Sequence, residues 1–200
     1  MDGEHPPQLS EALGRRLVAL ARHTLCRRLG RTAADDQAAA QSETELSDPA
    51  LAVPGGVFVT LKKAGCLRGC IGTLEGRDPL TVAVPVYAEH AAFRDPRFDP
   101  LTADELAQVD IEVSVLTPPR PLPYKDGDDL AAKLRPGVDG VILRKGAAGA
   151  TFLPQVWEQL PRPADFLSQL CLKAGLPADA WRSERLAVET YQVQSFAEDH

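Results

Sequence analysis

The nineteen residues "GVFVTLKKAGCLRGCIGTL", Gly56 to Leu74, constrain the fold more than any other stretch of this chain. In an extended backbone Val57, Val59 and Leu61 point one way, and Phe58, Thr60 and Lys62 the other, which is the period of two that a strand requires. "AG" then supplies a turn, and "CLRGCIGTL" returns as the antiparallel partner. A hairpin with one apolar face commits the chain to a sheet that something else must cover.

Helices are expected to flank it. Ser10 is a good N-cap for a helix ending by Gly30, with Leu13, Leu17, Leu20, Ala21 and Thr24 as its apolar stripe and Arg15 and Arg22 on the far side. Residues 31–54, rich in Ala, Asp, Glu, Gln and Ser and closed by Pro49 and Pro54, read as a loose connection, and residues 1–8 as a flexible lead. "PLTVAVPVYAEHAAF" reads as a helix from Thr81 that Pro85 caps or kinks, and "RDPRFDPLTADEL" as a proline-punctuated loop entering a short helix. "VDIEVSVLT" is a strand ended by Pro118 and Pro119. A short helix around "DDLAAKL", a hairpin in "GVILRKGAAGATFLP" with its loop at Gly146 to Gly149, and a helix in "PADFLSQLCLKAGL" follow. In that helix Phe166, Leu167, Leu170 and Cys171 share a face and Gly175 marks the end. "RLAVETYQVQSF" closes the chain as a strand. This order predicts an α+β fold, a mostly antiparallel sheet with flanking helices, split into two lobes.

Composition bounds what such a fold does. With 44% hydrophobic and 25% charged residues the chain is an ordinary soluble protein, and no stretch is long and apolar enough to span a membrane. The start, "MDGEHPPQLSEALG", is acidic and carries prolines, unlike a secretory signal, so a cytoplasmic location is the expectation. Residues 15–31 hold six arginines and no acid, yet the net charge is −6, so the remainder is strongly acidic. That balance, the apolar stripe on the same helix and the lack of a recognition motif argue against nucleic-acid binding. Of the four cysteines, Cys66 and Cys70 are spaced like a ligand pair, but no second pair completes a metal set, so no metal is expected.

Candidate site residues cluster around the hairpin. Strand alternation puts Leu67, Gly69 and Ile71 on one face and Arg68 with Cys70 on the other, and a cation beside a thiol favours the thiolate. Cys70 is therefore a candidate nucleophile; its alternative role is that of a small buried apolar residue, and Cys26, Cys66 and Cys171 read as core or turn residues. Arg68 is suited to clamp a carboxylate or phosphate, or else to pair with Glu112 on the neighbouring strand. Gly69 and Gly72 leave room for a ligand or another backbone, and Thr73 ends the same segment. Glu112 and Ser114 share the polar face of "IEVSV", where they either orient a substrate and carry protons or form a solvated strand face. His90 is the sole histidine away from the termini and the basic helix, and so the sole imidazole available as a base. In "RDPRF", Asp95 and Arg97 are placed to pair across a turn, with substrate contact by Arg97 as the other option. Thr151 and Gln155 in "TFLPQVW" carry groups that can hydrogen-bond a ligand, while Phe152, Leu153 and Trp157 read as core or cleft wall. No glycine-rich phosphate loop, dinucleotide fingerprint or serine elbow is present, and no cofactor is evident.

"LRGCIGTL" resembles the signature of the AMMECR domain family, whose bacterial and archaeal members are called AmmeMemoRadiSam system protein A. "FVTLKKAG", "AAFRDPRFDPL", "IEVSVLTPP", "TFLPQVW" and "FLSQLCLKAGLP" resemble further family blocks, in family order, and together cover about residues 9–197. The resemblance implies one domain of two intertwined α+β subdomains, with a cleft bordered by the RGC segment. It also implies association with a Memo-family protein and a radical SAM enzyme, but no settled reaction. The Arg68 and Cys70 face together with that association gives two expectations: an enzyme or enzyme component acting on a small metabolite, or a non-catalytic module that binds a partner or delivers a substrate. One departure is Asp139 in "GVDG", where many relatives carry His.

Overall fold

Ser10 accepts a hydrogen bond from the Leu13 amide at 3.3 Å and starts helix α1, Glu11–Arg28, as its residue type predicts. The computed structural model describes residues 9–30 and 48–198. They form two units, one built from the chain up to Leu116 together with the segment from Gln194, the other from Thr117–Val193. The predicted lead at 1–8 and most of the predicted loose connection, 31–47, lie outside the described residues. The rest of that connection is more ordered than expected: Asp48 caps a single 3-10 turn, Pro49–Leu51, whose Leu51 is fully buried.

In the first unit, strand β1 (Gly56–Lys63) and strand β2 (Cys66–Thr73) form the predicted hairpin. Ala64 and Gly65 close it with φ values of 52° and 76°, the two left-handed positions of a type I′ turn. Helix α2 (Leu80–Phe93) contains Pro85, α3 (Ala103–Leu106) is one turn capped by Thr102, and β3 (Val109–Leu116) pairs antiparallel with β1. Val57, Val59 and Leu61 are fully buried, as their alternation predicts, against apolar residues of α1 and α2. Arg22 departs from expectation. Instead of lying on the solvent side of α1, it pairs with Glu198 and donates to the carbonyls of Leu106 and Val109. A long aliphatic stem allows that reach along the helix flank.

The second unit runs β4 (Arg120–Pro121), α4 (Gly127–Lys133), β5 (Gly140–Lys145), β6 (Ala148–Phe152), a 3-10 turn (Pro154–Glu158), α5 (Pro163–Lys173), α6 (Ala180–Ser183) and β7 (Ala187–Tyr191). Its strands are ordered β4-β7-β5-β6. Val141, Leu143 and Val188 pack on Phe166, Leu167 and Leu170 of α5, and the Trp157 ring stacks on Phe166 at 3.7 Å. The β5–β6 loop is shorter than predicted. Gly146, with φ 59°, and Ala147 make the turn, and Ala148 and Gly149 belong to the strand.

The closing stretch is two strands rather than one. At Gln192 the backbone is taken by Thr117: the Gln192 amide donates to Thr117 Oγ1, and the Thr117 amide donates to the Gln192 carbonyl, each at 2.9 Å. Beyond it β8 (Val193–Ala197) joins the first sheet, in the order β2-β1-β3-β8. The fold is α+β, with antiparallel pairing and flanking helices.

Ala64 carries the one described non-glycine residue with positive φ, a conformation that costs an L-residue with a Cβ about 1–2 kcal/mol. Ala64→Asn, which tolerates that region, should stabilise the protein by about 0.5–1 kcal/mol. A urea midpoint unchanged or lowered relative to the parent would refute the assignment of strain to this turn.

Candidate functional site

Cys70 sits on β2, the edge strand of the first sheet, opposite Thr60. Thr60 in turn lies opposite Glu112 on β3, so a thiol, a hydroxyl and a carboxylate form one row across three strands. The Thr60 hydroxyl donates to Cys70 Sγ at 3.2 Å, and Glu112 receives the Lys62 ammonium at 2.8 Å. One row along, Ser114 is buried and its hydroxyl is 2.9 Å from that of Ser195.

Arg68 does not share this row. The pairing runs Leu61 with Gly69 but Lys62 with Leu67, leaving Arg68 as the extra residue of a β-bulge. The bulge resets the alternation, so Leu67 lies opposite Lys62 and is 45% exposed instead of joining Gly69 and Ile71. The Arg68 side chain, 13% exposed, grips Glu105 of α3 through Nε at 3.1 Å and Nη2 at 3.0 Å, and Nη2 also donates to the Asp99 carbonyl. Neither the expected pairing of Arg68 with Glu112 nor its placement beside Cys70 is what the bulge produces. Hydrogen bonds from Arg68 and then Lys63 hold the Glu105 carboxyl down to about 2.

The cation at Cys70 is Arg97. The "RDPRF" loop folds over the β2 edge, where Asp95 Oδ2 accepts the Cys70 amide at 2.9 Å and Arg97 Nη2 donates to the Cys70 carbonyl at 3.2 Å. Asp95 and Arg97 bind each other through two parallel contacts, Nε to Oδ1 at 2.9 Å and Nη2 to Oδ2 at 2.6 Å. That hydrogen bonding from Arg97, helped by the two amides, holds the buried Asp95 carboxyl far below the usual carboxylate range. A cysteine on a free strand edge is thus bracketed on both sides of its own peptide, which also blunts the edge.

The two glycines serve backbone contacts. A Cβ on Gly69 would lie 2.2 Å from the Ala91 carbonyl of α2, and one on Gly72 would lie 2.2 Å from the Val57 carbonyl and 2.5 Å from the Phe58 ring. Of the two occupants open to them, ligand or backbone, the structure supplies backbone. Thr73 donates to the Glu75 carbonyl at the end of β2. The His90 ring stands edge-on to Tyr87, 5.9 Å between centres, and among the described residues no imidazole is hydrogen-bonded to Cys70.

Thr151 and Gln155 belong to the second unit. The Thr151 hydroxyl contacts the Val141 carbonyl and the Tyr191 hydroxyl, both at 3.0 Å, while Gln155 is exposed. Burial pushes the Tyr191 hydroxyl up to about 12, against the bond with Thr151. Asp139 is also internal: it pairs with Arg135 and accepts its amide at 2.9 Å, and its carbonyl takes the Trp157 indole at 2.7 Å. Cys26 and Cys171 are buried and Cys66 is exposed beside the turn. Among the described residues no cluster of His, Cys, Asp and Glu is arranged to hold a metal, and no helix is long and apolar enough to cross a membrane.

Two contacts of Cys70 are not legible in the local sequence. Thr60 was visible only as a polar strand position, though its place opposite Cys70 follows from the hairpin register. The Asp95 pairing with Arg97 follows from "RDPRF", but nothing local points to its second partner, the Cys70 amide 25 positions away.

The protein is thus of the α+β class, built as two units with a bracketed cysteine on the edge strand of the first. The AMMECR1 family model matches residues 18–196, and the chain belongs to that family. It is 47% identical to a protein of Methanothermobacter thermautotrophicus over 145 residues, 72% of this chain and 76% of that one. It is 35% identical to a Saccharolobus solfataricus protein over 96% of this chain and 84% of the relative. The crystal structure of an uncharacterized protein from Pyrococcus horikoshii superposes with a TM-score of 0.77 at 33% identity, covering 96% of this chain and 94% of that one.

Two outcomes test the architecture of the site. Gly69→Ala should destabilise the protein by about 1–3 kcal/mol, since carbonyl and Cβ cannot share the space; an unchanged melting midpoint would refute the close approach. Glu105 is held below its ordinary value of 4.5, so its ion pairs stabilise the fold fully above that pH and progressively less as pH falls toward 2. The urea-midpoint difference between the parent and Glu105→Gln should therefore shrink as pH is lowered from 5 toward 2, and a difference constant over that range would show that the carboxylate is not paired.

Proposed function

We propose that this protein is the working A component of an AmmeMemoRadiSam-type system, acting with a Memo-family protein and a radical SAM enzyme on a small metabolite, with Cys70 as its reactive group. Family membership supports the association. The observation that supports the residue is the bracket: Cys70 is half-buried rather than sealed in the core, its peptide is fixed on both sides by Asp95 and Arg97, and its thiol accepts from the Thr60 hydroxyl. A structural cysteine needs none of these. An attacking thiol benefits from all three, because fixed orientation lowers the entropic part of the barrier and partial exposure lets a substrate reach it. The Glu112–Lys62 pair and the Ser114 hydroxyl supply polar contacts on the same sheet face.

A second reading is a binding module that delivers a substrate or holds a partner without chemistry of its own. One observation favours it: among the described residues no base is hydrogen-bonded to Cys70. Cys70→Ser separates the two. In a system reconstituted with the Memo-family and radical SAM proteins, the catalytic reading requires loss of turnover with a melting midpoint close to the parent's. Full turnover by a folded Cys70→Ser protein would leave the binding module standing. Arg68→Ala is a poor probe, because it leaves Glu105 with Lys63 alone and its effect mixes stability with function.

A further inference from the structure

If Cys70 is the reactive group, the arrangement around it also restricts what it meets. We infer that the ligand carries an anionic oxygen group, a carboxylate or phosphate, which seats on the outward side of the Arg97 guanidinium and so brings the adjoining atoms to the Cys70 thiol. The inference rests on the reading of Cys70 given above.

Arg97 is held by one edge only. Nε and Nη2 are engaged by Asp95, and Nη2 also reaches the Cys70 carbonyl, while Nη1 has no hydrogen-bond acceptor among the described residues. The pair is lopsided with respect to water: the Arg97 side chain is 53% exposed and that of Asp95 1%. A buried carboxylate behind a half-exposed guanidinium is a fixed dipole with its positive end outward. It orients the fork without covering the unused nitrogen, and that planar fork suits carboxylate and phosphate oxygens. The guanidinium is fixed to the Cys70 residue itself, through the hydrogen bond to its carbonyl at 3.2 Å. The other charges on this face include Asp110, opposite Lys62 in the register, and the Glu112 carboxylate, which accepts the Lys62 ammonium at 2.8 Å. Arg68, the other arginine against the Phe98 ring, gives Nε and Nη2 to Glu105 and Asp99, and its remaining Nη1 is unpartnered but buried, out of reach of an anion arriving from solvent. Arg97 is thus the cation that is tied to the Cys70 peptide, half-exposed and left with an unused nitrogen.

A pair of nearly isosteric alkylating agents tests this on the full-length protein. Iodoacetate is anionic and iodoacetamide neutral; both form an S–C bond as the C–I bond breaks, iodide leaves with the electron pair and the thiol proton passes to solvent. Labelling of each cysteine at fixed pH is followed by mass spectrometry, with exposed Cys66 as the reference within the molecule and buried Cys26 and Cys171 as the check on folding. The ratio of iodoacetate to iodoacetamide rates should be about threefold to fivefold higher at Cys70 than at Cys66, the size expected for a half-exposed ion pair, and should fall with added salt. Arg97→Gln should bring the Cys70 ratio down to that of Cys66. Arg97→Lys should keep a preference and, by leaving Asp95 an ion-pair partner, guards against misreading a local loss of structure. If Cys70 reacts readily but shows no preference, or keeps its preference in Arg97→Gln, the anion seat is refuted while the reactive cysteine stands. If Cys70 reacts with neither agent while Cys66 is labelled, both readings fall.

Discussion

The buried carboxylate of Asp95 organises the edge of the first sheet. A desolvated charge is tolerated only when paired and fully hydrogen-bonded, and Asp95 collects the Arg97 guanidinium and the amides of Cys70 and Arg97. Each hydrogen bond to a charged group contributes about 1.5–3 kcal/mol, and removal of one partner would leave the carboxylate short of a hydrogen bond. One side chain therefore ties a proline-bounded loop to a strand that would otherwise end the sheet with unpaired backbone. It also decides which arginine is fixed to the Cys70 peptide.

The glycines of "LRGCIGT" play the complementary part, through what they lack. Gly69 lets the Ala91 carbonyl of α2 approach the strand, and Gly72 lets the Phe58 ring lie across it. The sheet can then be covered closely by a helix on one side while its other face keeps a row of polar groups from β2 to β3. The bulge at Arg68 belongs to the same design. It turns the guanidinium toward Glu105, anchoring α3, and leaves Cys70 facing Thr60.

Much of this was legible in the sequence. The Val57, Val59 and Leu61 alternation, the "AG" turn, the Ser10 cap and the shared face of Phe166, Leu167, Leu170 and Cys171 are local patterns, and local geometry dictates them. The Asp95–Arg97 pair was legible too, since the proline between them fixes the turn. What failed were inferences that extended a local rule past an interruption. Alternation assumes one residue facing one, and the bulge breaks that between Leu67 and Gly69. "RLAVETYQVQSF" alternates without a pause, yet Thr117 claims the Gln192 backbone and sends its two halves to different sheets.

By itself, then, the sequence determined the elements, the hairpin, the α+β class and the presence of a cysteine among glycines. These depend on side-chain period, capping and backbone freedom over a few residues. Only the tertiary structure decided which groups meet at that cysteine: Thr60 across the hairpin, Glu112 one strand further, Asp95 and Arg97 from a loop 25 or more positions on. The physical reason is that strand register, a one-residue bulge and a long-range charged hydrogen bond are settled by packing and desolvation over the whole unit. No period in the local sequence records them.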